Sequence, residues 1–340
     1  MPEHGQCGWP AGRLMSALAG SWMLLSQPVW AAFSIPGYEL VYNAPQETTL
    51  QDNDLRHAAE VWQQMFDAAR SHIDLAQFYV ANEKGSLLDG VLARLRAAGE
   101  RGVKIRFLME EKGVGLSTPE TLTALKAIPN LELRVIPFHR LTGGIVHAKY
   151  LLVDGKEAFV GSQNFDWRAL EQIQETGLRI SDPQTVQQIQ AIFDQDWQAQ
   201  ALLAESKPVP KPARQAVASA PQGNYLVASP RDYNPSGVID SQVALPRLLA
   251  SAKSRIRVQV MDYAPLAWGE KGSRPFYAPI DNALRSAAAR GVQVELMVAN
   301  WNLKKPEVFW LKSLSLVPNV QLKVVTIPPD RKSTRLNSSH

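Results

Sequence analysis

Cysteine is almost absent from this chain: the 340 residues contain one, Cys7. Beyond that position a disulfide, a thiolate nucleophile and a cysteine metal site are all excluded. Long apolar runs are missing as well. The most apolar early stretch, Leu14 to Leu25, has about a dozen residues, short of the ~20 that a membrane-spanning helix needs. Nor does one charge dominate, since 36 Lys and Arg face 32 Asp and Glu for a net +4. That balance suits an anionic partner but does not separate nucleic acid from phospholipid.

What is present is ordinary globular composition, 45% hydrophobic and 20% charged, enough for one large or two medium domains. Arg13, the apolar stretch after it and the Val29-Trp30-Ala31 ending have the pattern of a secretory leader. Cleavage after Ala31 and export to a periplasm or beyond are expected. From Leu55 to Ala69 the apolar spacing predicts a helix, and Ile73 to Val80 predicts a buried strand. Ser86 caps a helix expected to run through Ala98, and Val103 to Met109 alternates as a strand. Thr118 and Pro119 open another helix to about Ile128, and Leu131 to Phe138 is a further strand. Alternating strands and helices of this kind indicate an α/β domain with a largely parallel sheet. Residues 205–223, rich in Pro, Ala and Lys, form a linker extended by its prolines.

The densest chemistry lies between His147 and Glu175. Two short apolar runs, Tyr150 to Val153 and Ala158 to Val160, are separated by Asp154-Gly155 and predict an antiparallel hairpin. Residues two apart share a strand face, so His147 and Lys149 point the same way. A lysine neutralises phosphate oxygens as a point charge, and a histidine can serve as nucleophile or acid/base near neutral pH. Ser162 and Asn164 would add a hydroxyl and an amide to an anionic cradle. Glu175 can hydrogen-bond the second ring nitrogen of His147 and fix its tautomer. An aspartate before glycine is first a turn residue, so Asp154 is assigned a structural role, as is Gly161. Of the six histidines only His139 and His147 lie near each other within the domain. They match no zinc spacing, and a lysine at the centre of the site would repel a cation. No cofactor or metal is expected.

The pattern His147-x-Lys149, Asp154, Gly161-Ser162-x-Asn164 and Glu175 resembles the signature of the phospholipase D superfamily. The resemblance implies a histidine that attacks phosphorus to form a phosphohistidine, a lysine and asparagine that bind phosphate oxygens, and a structural aspartate. Together with SRIRVQVMDYAP and FYAPIDNALRSAAARGV later in the chain, it is similar to the lysosomal phospholipase-D-named proteins of animals and the poxvirus envelope phospholipase-like proteins. Some of that branch are 5′ exonucleases on single-stranded nucleic acid, and others are linked to phospholipid.

The second half repeats the first. Ser71 to Val80 is answered from Ser254, a shift of 183, while Glu100 to Met109 and Ile128 to Ile136 are answered at a shift of 189. A period this long means a duplicated domain. The fold expected is α/β: a duplicated phospholipase-D-like α-β-α sandwich with mostly parallel central sheets. Residues 1–31 would be the leader, 32–204 the first copy, 224–330 a shortened second copy and 331–340 a tail. A second His-x-Lys hairpin is expected near position 336. The 340 residues instead close on KSTRLNSSH, which carries no strand pattern and suggests a frameshift or assembly artefact.

The function expected is hydrolysis of a phosphodiester, with phospholipid headgroups as substrate and single-stranded nucleic acid as the alternative. Without the second motif, an inactive or phosphate-binding fragment is the further alternative. Peripheral membrane contact and a monomer with pseudo-two-fold symmetry are the expected associations. Phe78, Tyr79, Trp167 and Tyr263 can stack bases, though aromatics more often fill a core.

Overall fold

A computed structural model describes residues 34–213, 223–267, 269 and 272–326. The expected leader, the tail and residues 214–222 of the linker lie outside them.

The chain opens with β1 (Ser34–Ile35) and β2 (Tyr38–Asn43), then α1 (Ala58–Ala68), β3 (His72–Gln77), β4 (Val80–Ala81), α2 (Leu87–Glu100) and β5 (Lys104–Glu110). There follow α3 (Glu111–Val114), α4 (Pro119–Lys126), β6 (Leu131–Ile136), α5 (His139–Thr142), β7 (Tyr150–Val153) and β8 (Glu157–Gly161). β9 (Phe165–Asp166), α6 (Trp167–Glu171), β10 (Glu175–Ile180) and α7 (Pro183–Ala204) complete the first half. The second half contains β11 (Val227–Ala228), β12 (Ile239–Asp240), α8 (Ser241–Ser251), β13 (Arg255–Val260), α9 (Pro279–Ala289), β14 (Gln293–Ala299), α10 (Glu307–Ser315) and β15 (Val320–Val325).

Eight strands of the first half form one sheet in the order β1-β2-β10-β8-β7-β3-β5-β6. On one face α1 and α2 bury Trp62, Phe66 and Leu95 against Phe107 and Phe159. On the other, α7 buries Val186, Ile189 and Phe193 against Leu152 and Ala158. This is an α-β-α sandwich of the α/β class.

The expectation of a mostly parallel sheet needs correction in this half. Only β3-β5 and β5-β6 pair in parallel; the remaining pairings, from β1-β2 through β7-β3, are antiparallel. Parallel neighbours need a crossover of a dozen or more residues, and α2 and α4 supply it, whereas the Asp154-Gly155 turn between β7 and β8 permits only a hairpin. The second half is parallel throughout its three-stranded sheet, β13-β14-β15.

Several expected elements are shorter than their patterns, two of them for a visible reason. The helix predicted from Leu55 starts at Ala58 because the Arg56 carbonyl accepts from Tyr42 N at 3.1 Å, which leaves His57 as the N-cap. The strand predicted through Val80 stops at Gln77. There Gly113 of α3 packs so tightly on the Phe78 carbonyl that a Cβ would sit 1.7 Å from it. The break turns Phe78 and Tyr79 out of the sheet.

The two halves share strand register as well as pattern. Ile105 pairs with Leu131 in the first sheet, and their counterparts at a shift of 189, Val294 and Val320, pair in the second. Ile73 pairs with Ile105, and Ile256 with Val294.

Candidate active site

The sheet register brings the sequence-picked residues to one end of β7, β8 and β10. The Lys149 carbonyl accepts from Gly161 N at 3.1 Å, and Gly161 pairs with Gly177. Two residues outward from that row stand His147 before β7 and Glu175 at the start of β10. Alternation puts the side chains at 147, 149 and 175 on the face of the sheet where Phe159 and Val41 join the core.

His147 is exposed, while Lys149 is only 7% exposed. The Lys149 Nζ lies 3.0 Å from His147 Nδ1 and 3.2 Å from Nε2, and donates to the His147 carbonyl at 2.6 Å. The ammonium therefore sits over the imidazole ring, close to both of its nitrogens. Burial pushes the Lys149 ammonium down to about 8, against the opposing pull of Glu175. Phe78 closes one side of the pair. Its ring meets the His147 ring edge-on at 4.7 Å between centroids and lies 5.7 Å from Lys149 Nζ.

Burial raises the Glu175 carboxyl, with the Ser162 hydroxyl and the charge of Lys149 acting the other way. Ser162 is held by exchange with Thr176: its N donates to the Thr176 carbonyl at 2.9 Å, and its Oγ accepts from Thr176 N at 3.1 Å. Asn164 is fixed through its carbonyl, which accepts from Asp166 N at 2.8 Å. Its side-chain Oδ1 is buried without a hydrogen-bond partner. A buried polar atom with no partner costs roughly 1–3 kcal/mol, so it needs a ligand or water to offset that cost. Ser162, Asn164, Lys149 and His147 together present a hydroxyl, an amide, an ammonium and an imidazole, a set matched to a tetrahedral oxyanion.

Asp154 lies elsewhere, at the far end of β7, roughly 20 Å from His147 at ~3.4 Å per strand residue. Its carboxylate accepts from Arg70 N and Ser71 N at 2.8 Å, Ser71 Oγ at 2.7 Å and His72 N at 3.0 Å. Burial works against the charge, but these hydrogen bonds bring the group down to about 2. Asp154 thus clamps the α1–β3 connection to the hairpin and takes φ +53° itself. Gly161 has a spatial reason to be glycine. A Cβ there would stand 2.1 Å from Gln163 Oε1, and one on Gly177 would stand 2.3 Å from Phe159 Cζ.

The structure adds residues that the motif did not single out. Glu110, ending β5, accepts from Val146 N at 2.8 Å and so anchors the segment just before His147. It is 1% exposed, and burial raises its carboxyl. Asp196 of α7 shares that interior; burial first, then the charge of Glu110, pushes it up to about 7. The only sequence sign of Glu110 is an acidic residue closing an apolar strand. Phe78 and Tyr79 are both 6% exposed; the first packs on the site, and the second donates its hydroxyl to Asp166 at 2.6 Å. Among the described residues no group of three or more His, Cys, Asp or Glu is placed to hold a metal ion, and no helix is long and apolar enough to cross a membrane.

The chain is similar to several known proteins. Residues 63–197 match the family described as "Cardiolipin synthase, PLD-like domain". The chain is 31% identical to phospholipase D Z of Dictyostelium discoideum over 88% of this chain and 76% of that protein. It is 28% identical to a probable phospholipase D of Caenorhabditis elegans over 83% of this chain and 57% of that one. To the 5'-3' exonuclease PLD3 of Rattus norvegicus it is also 28% identical, over 82% of this chain and 62% of that one. The chain thus spans about six tenths of the length of the worm and rat relatives. By its identity to the Dictyostelium protein, and by the family matched over the segment that carries His147, Lys149 and Asn164, the chain belongs to the phospholipase D superfamily.

Proposed function

We propose that this protein hydrolyses phosphodiester bonds through a covalent intermediate on His147, with phospholipid headgroup esters as the substrate class, and that it does so after export. The observation that carries the proposal is the buried Lys149 ammonium held against both nitrogens of the His147 ring. A phosphate bound by Lys149, Ser162 Oγ and the Asn164 amide has its phosphorus beside the imidazole. A neutral ring nitrogen attacks phosphorus, the P–O bond to the alcohol breaks, and a phosphohistidine forms. Water then attacks phosphorus, the P–N bond breaks, and a phosphomonoester leaves with His147 regenerated. The leaving oxygen takes its proton from a second acid, which the superfamily resemblance places in a second copy of the motif. The 340 residues carry one His-x-Lys, at His147 and Lys149, so that second acid is not among them. Glu175, half-buried beside Ser162 and Lys149, orients the imidazole and balances its positive charge as the nitrogen becomes bonded to phosphorus.

The rim supports the choice of substrate. Ile145 and Ile173, each two residues before a site residue, are 44% and 42% exposed and give the mouth an apolar border that suits acyl chains. A second reading, cleavage of single-stranded nucleic acid from the 5′ end, is favoured by the relatives named 5'-3' exonuclease.

The test assays the full chain on phosphatidylcholine vesicles, a 5′-hydroxyl single-stranded oligonucleotide and bis-(p-nitrophenyl) phosphate, beside His147→Asn and Lys149→Met. The expected result is release of choline that is lost in both variants while their unfolding temperatures stay within a few degrees of wild type. Turnover of the oligonucleotide alone moves the assignment to the second reading. Inertness on all three substrates, with no binding of orthovanadate that depends on Lys149, overturns the site.

A further inference from the structure

Two copies of one unit in a single chain provide an internal comparison. At the shift of 189, α10 answers α4: Leu125 corresponds to Leu314, both fully buried, and Asn130 to Asn319, with φ of 60° and 67°. Glu120 and Thr123 of α4 and Ala127 at its C-cap are exposed, along with Pro119, Ala124 and Lys126, as on a water-facing helix. The counterparts of Glu120, Thr123 and Ala127 are Phe309, Lys312 and Leu316. Phe309 is 55% exposed and Leu316 84%. The second copy therefore carries apolar and cationic side chains where the first copy carries polar and small ones. A lost covering element does not account for this, because the first copy leaves the same positions to water.

Two neighbouring segments extend the face. After β14, Leu303 is exposed beside Lys304 and Lys305, and Lys305 Nζ lies 5.7 Å over the Phe309 ring. The growth of the repeat shift from 183 to 189 falls between β13 and α9. In that lengthened loop an antiparallel bridge between Leu266 and Phe276 sets the exposed Phe276 ring 5.4 Å from Trp310 of α10. Lys304, Lys305 and Lys312 have no ion-pair partner among the described residues.

We propose that this face of the second half is a docking surface for an anionic phospholipid bilayer. Exposed leucine and phenylalanine enter the boundary between headgroups and acyl chains. Lysine stems lie along apolar surface, and their ammonium groups meet anionic headgroups. A single nucleic-acid strand would use Phe276, Phe309 and Trp310 for stacking, but Leu303 and Leu316 offer no ring to a base. A second copy docking across a two-fold axis would set this lysine-bearing face against an identical lysine-bearing face. Binding of this kind does not depend on turnover at His147, so its failure and the failure of the phosphodiester site are told apart.

The experiment is flotation of the full chain with vesicles of phosphatidylcholine alone and of phosphatidylcholine with about a third phosphatidylglycerol. The variants are Phe309→Ala with Leu316→Ala, and Lys304→Gln with Lys305→Gln and Lys312→Gln. Binding to the anionic vesicles is expected, falling at least tenfold in the first variant and by roughly fivefold per lysine in the second. All five positions are exposed, so thermal unfolding should be unchanged in both. Equal binding to neutral and anionic vesicles, or variants that bind as wild type does, would overturn the proposal. So would an absence of vesicle binding, whether paired with loss of a fluorescein-labelled single-stranded oligonucleotide in the variants or with a concentration-dependent dimer that the alanine variant abolishes.

Discussion

Replacing Asp154 tests the division between chemistry and scaffold within the motif. Its carboxyl lies at about 2 against an ordinary 3.8, and at 1.36 kcal/mol per unit this corresponds to about 2.4 kcal/mol. The side chain is partly exposed, and solvent screening reduces the figure to about 1 kcal/mol. Asp154→Asn keeps one acceptor oxygen and tolerates φ +53°, so about 1 kcal/mol is the expected loss at pH 7. Asp154→Ala leaves the N–H groups of Arg70, Ser71 and His72 without their acceptor and puts alanine in the left-handed region. About 3 kcal/mol is expected there, from roughly 2 kcal/mol of lost hydrogen bonding and about 1 of backbone strain. At 2–4 °C per kcal/mol for a domain of this size, these losses lower the unfolding temperature by about 2–4 °C and about 6–12 °C. The sign with pH follows from a depressed carboxylate. Its contribution is full above about pH 4 and fades as pH falls through about 2, with about half left at pH 3. Urea unfolding of wild type and Asp154→Asn at pH 7, 5 and 3, with turnover measured on the folded proteins, is the assay. Equal stability at pH 7, a difference that does not shrink toward pH 3, or loss of turnover in a fully stable Asp154→Asn would refute the reasoning.

Other outcomes follow from the same coordinates. NMR of labelled lysine side chains should find Lys149 titrating near 8, well below the surface lysines, and vanadate should raise its midpoint. Phe78→Ala removes the ring that packs on His147 and Lys149, so turnover should fall tenfold or more and the Lys149 midpoint should rise as water enters. Asp196→Asn should stabilise the protein. A buried carboxyl raised to about 7 costs stability as pH climbs from about 4 through 7, so the variant's unfolding temperature should exceed wild type at pH 8 and match it near pH 4. Gly177→Ala drives a Cβ to 2.3 Å from the Phe159 ring and should cost about 1–3 kcal/mol by chemical denaturation, as overpacking does.

Much of this architecture was legible in residue order, and the rest was hidden for identifiable reasons. The hairpin of β7 and β8 follows from two β-prone runs around Asp154-Gly155, and the repeat from matched strings such as ERGVKIRFLM and ARGVQVELMV. Lys149 and His147 meet because residues two apart share a face. Sheet polarity is not legible in residue order, because apolar runs such as Tyr150 to Val153 look the same in parallel and antiparallel neighbours. Phe78 looked like continuing strand, since nothing in IDLAQFYV announces that Gly113, far along the chain, will press on its carbonyl. Glu110 was invisible for the same kind of reason. Its work is a hydrogen bond to Val146, 36 residues away, and no local pattern encodes a partner at that distance. Periodicity reports which face a side chain takes; it does not report what crosses the sheet to meet it.

The paired glycines at 161 and 177 have a consequence for how such sequences can drift. Phe159 is 1% exposed and fills the space that a Cβ on either glycine would need. A lineage can gain a side chain at 177 only after position 159 has shrunk, and it can restore the large ring only after losing that side chain. Positions 159 and 177 are therefore expected to change as a pair across related chains. Gln163, whose amide lies over Gly161, adds a third member to the set, so a position that the motif leaves free is constrained by its neighbours rather than by the phosphate.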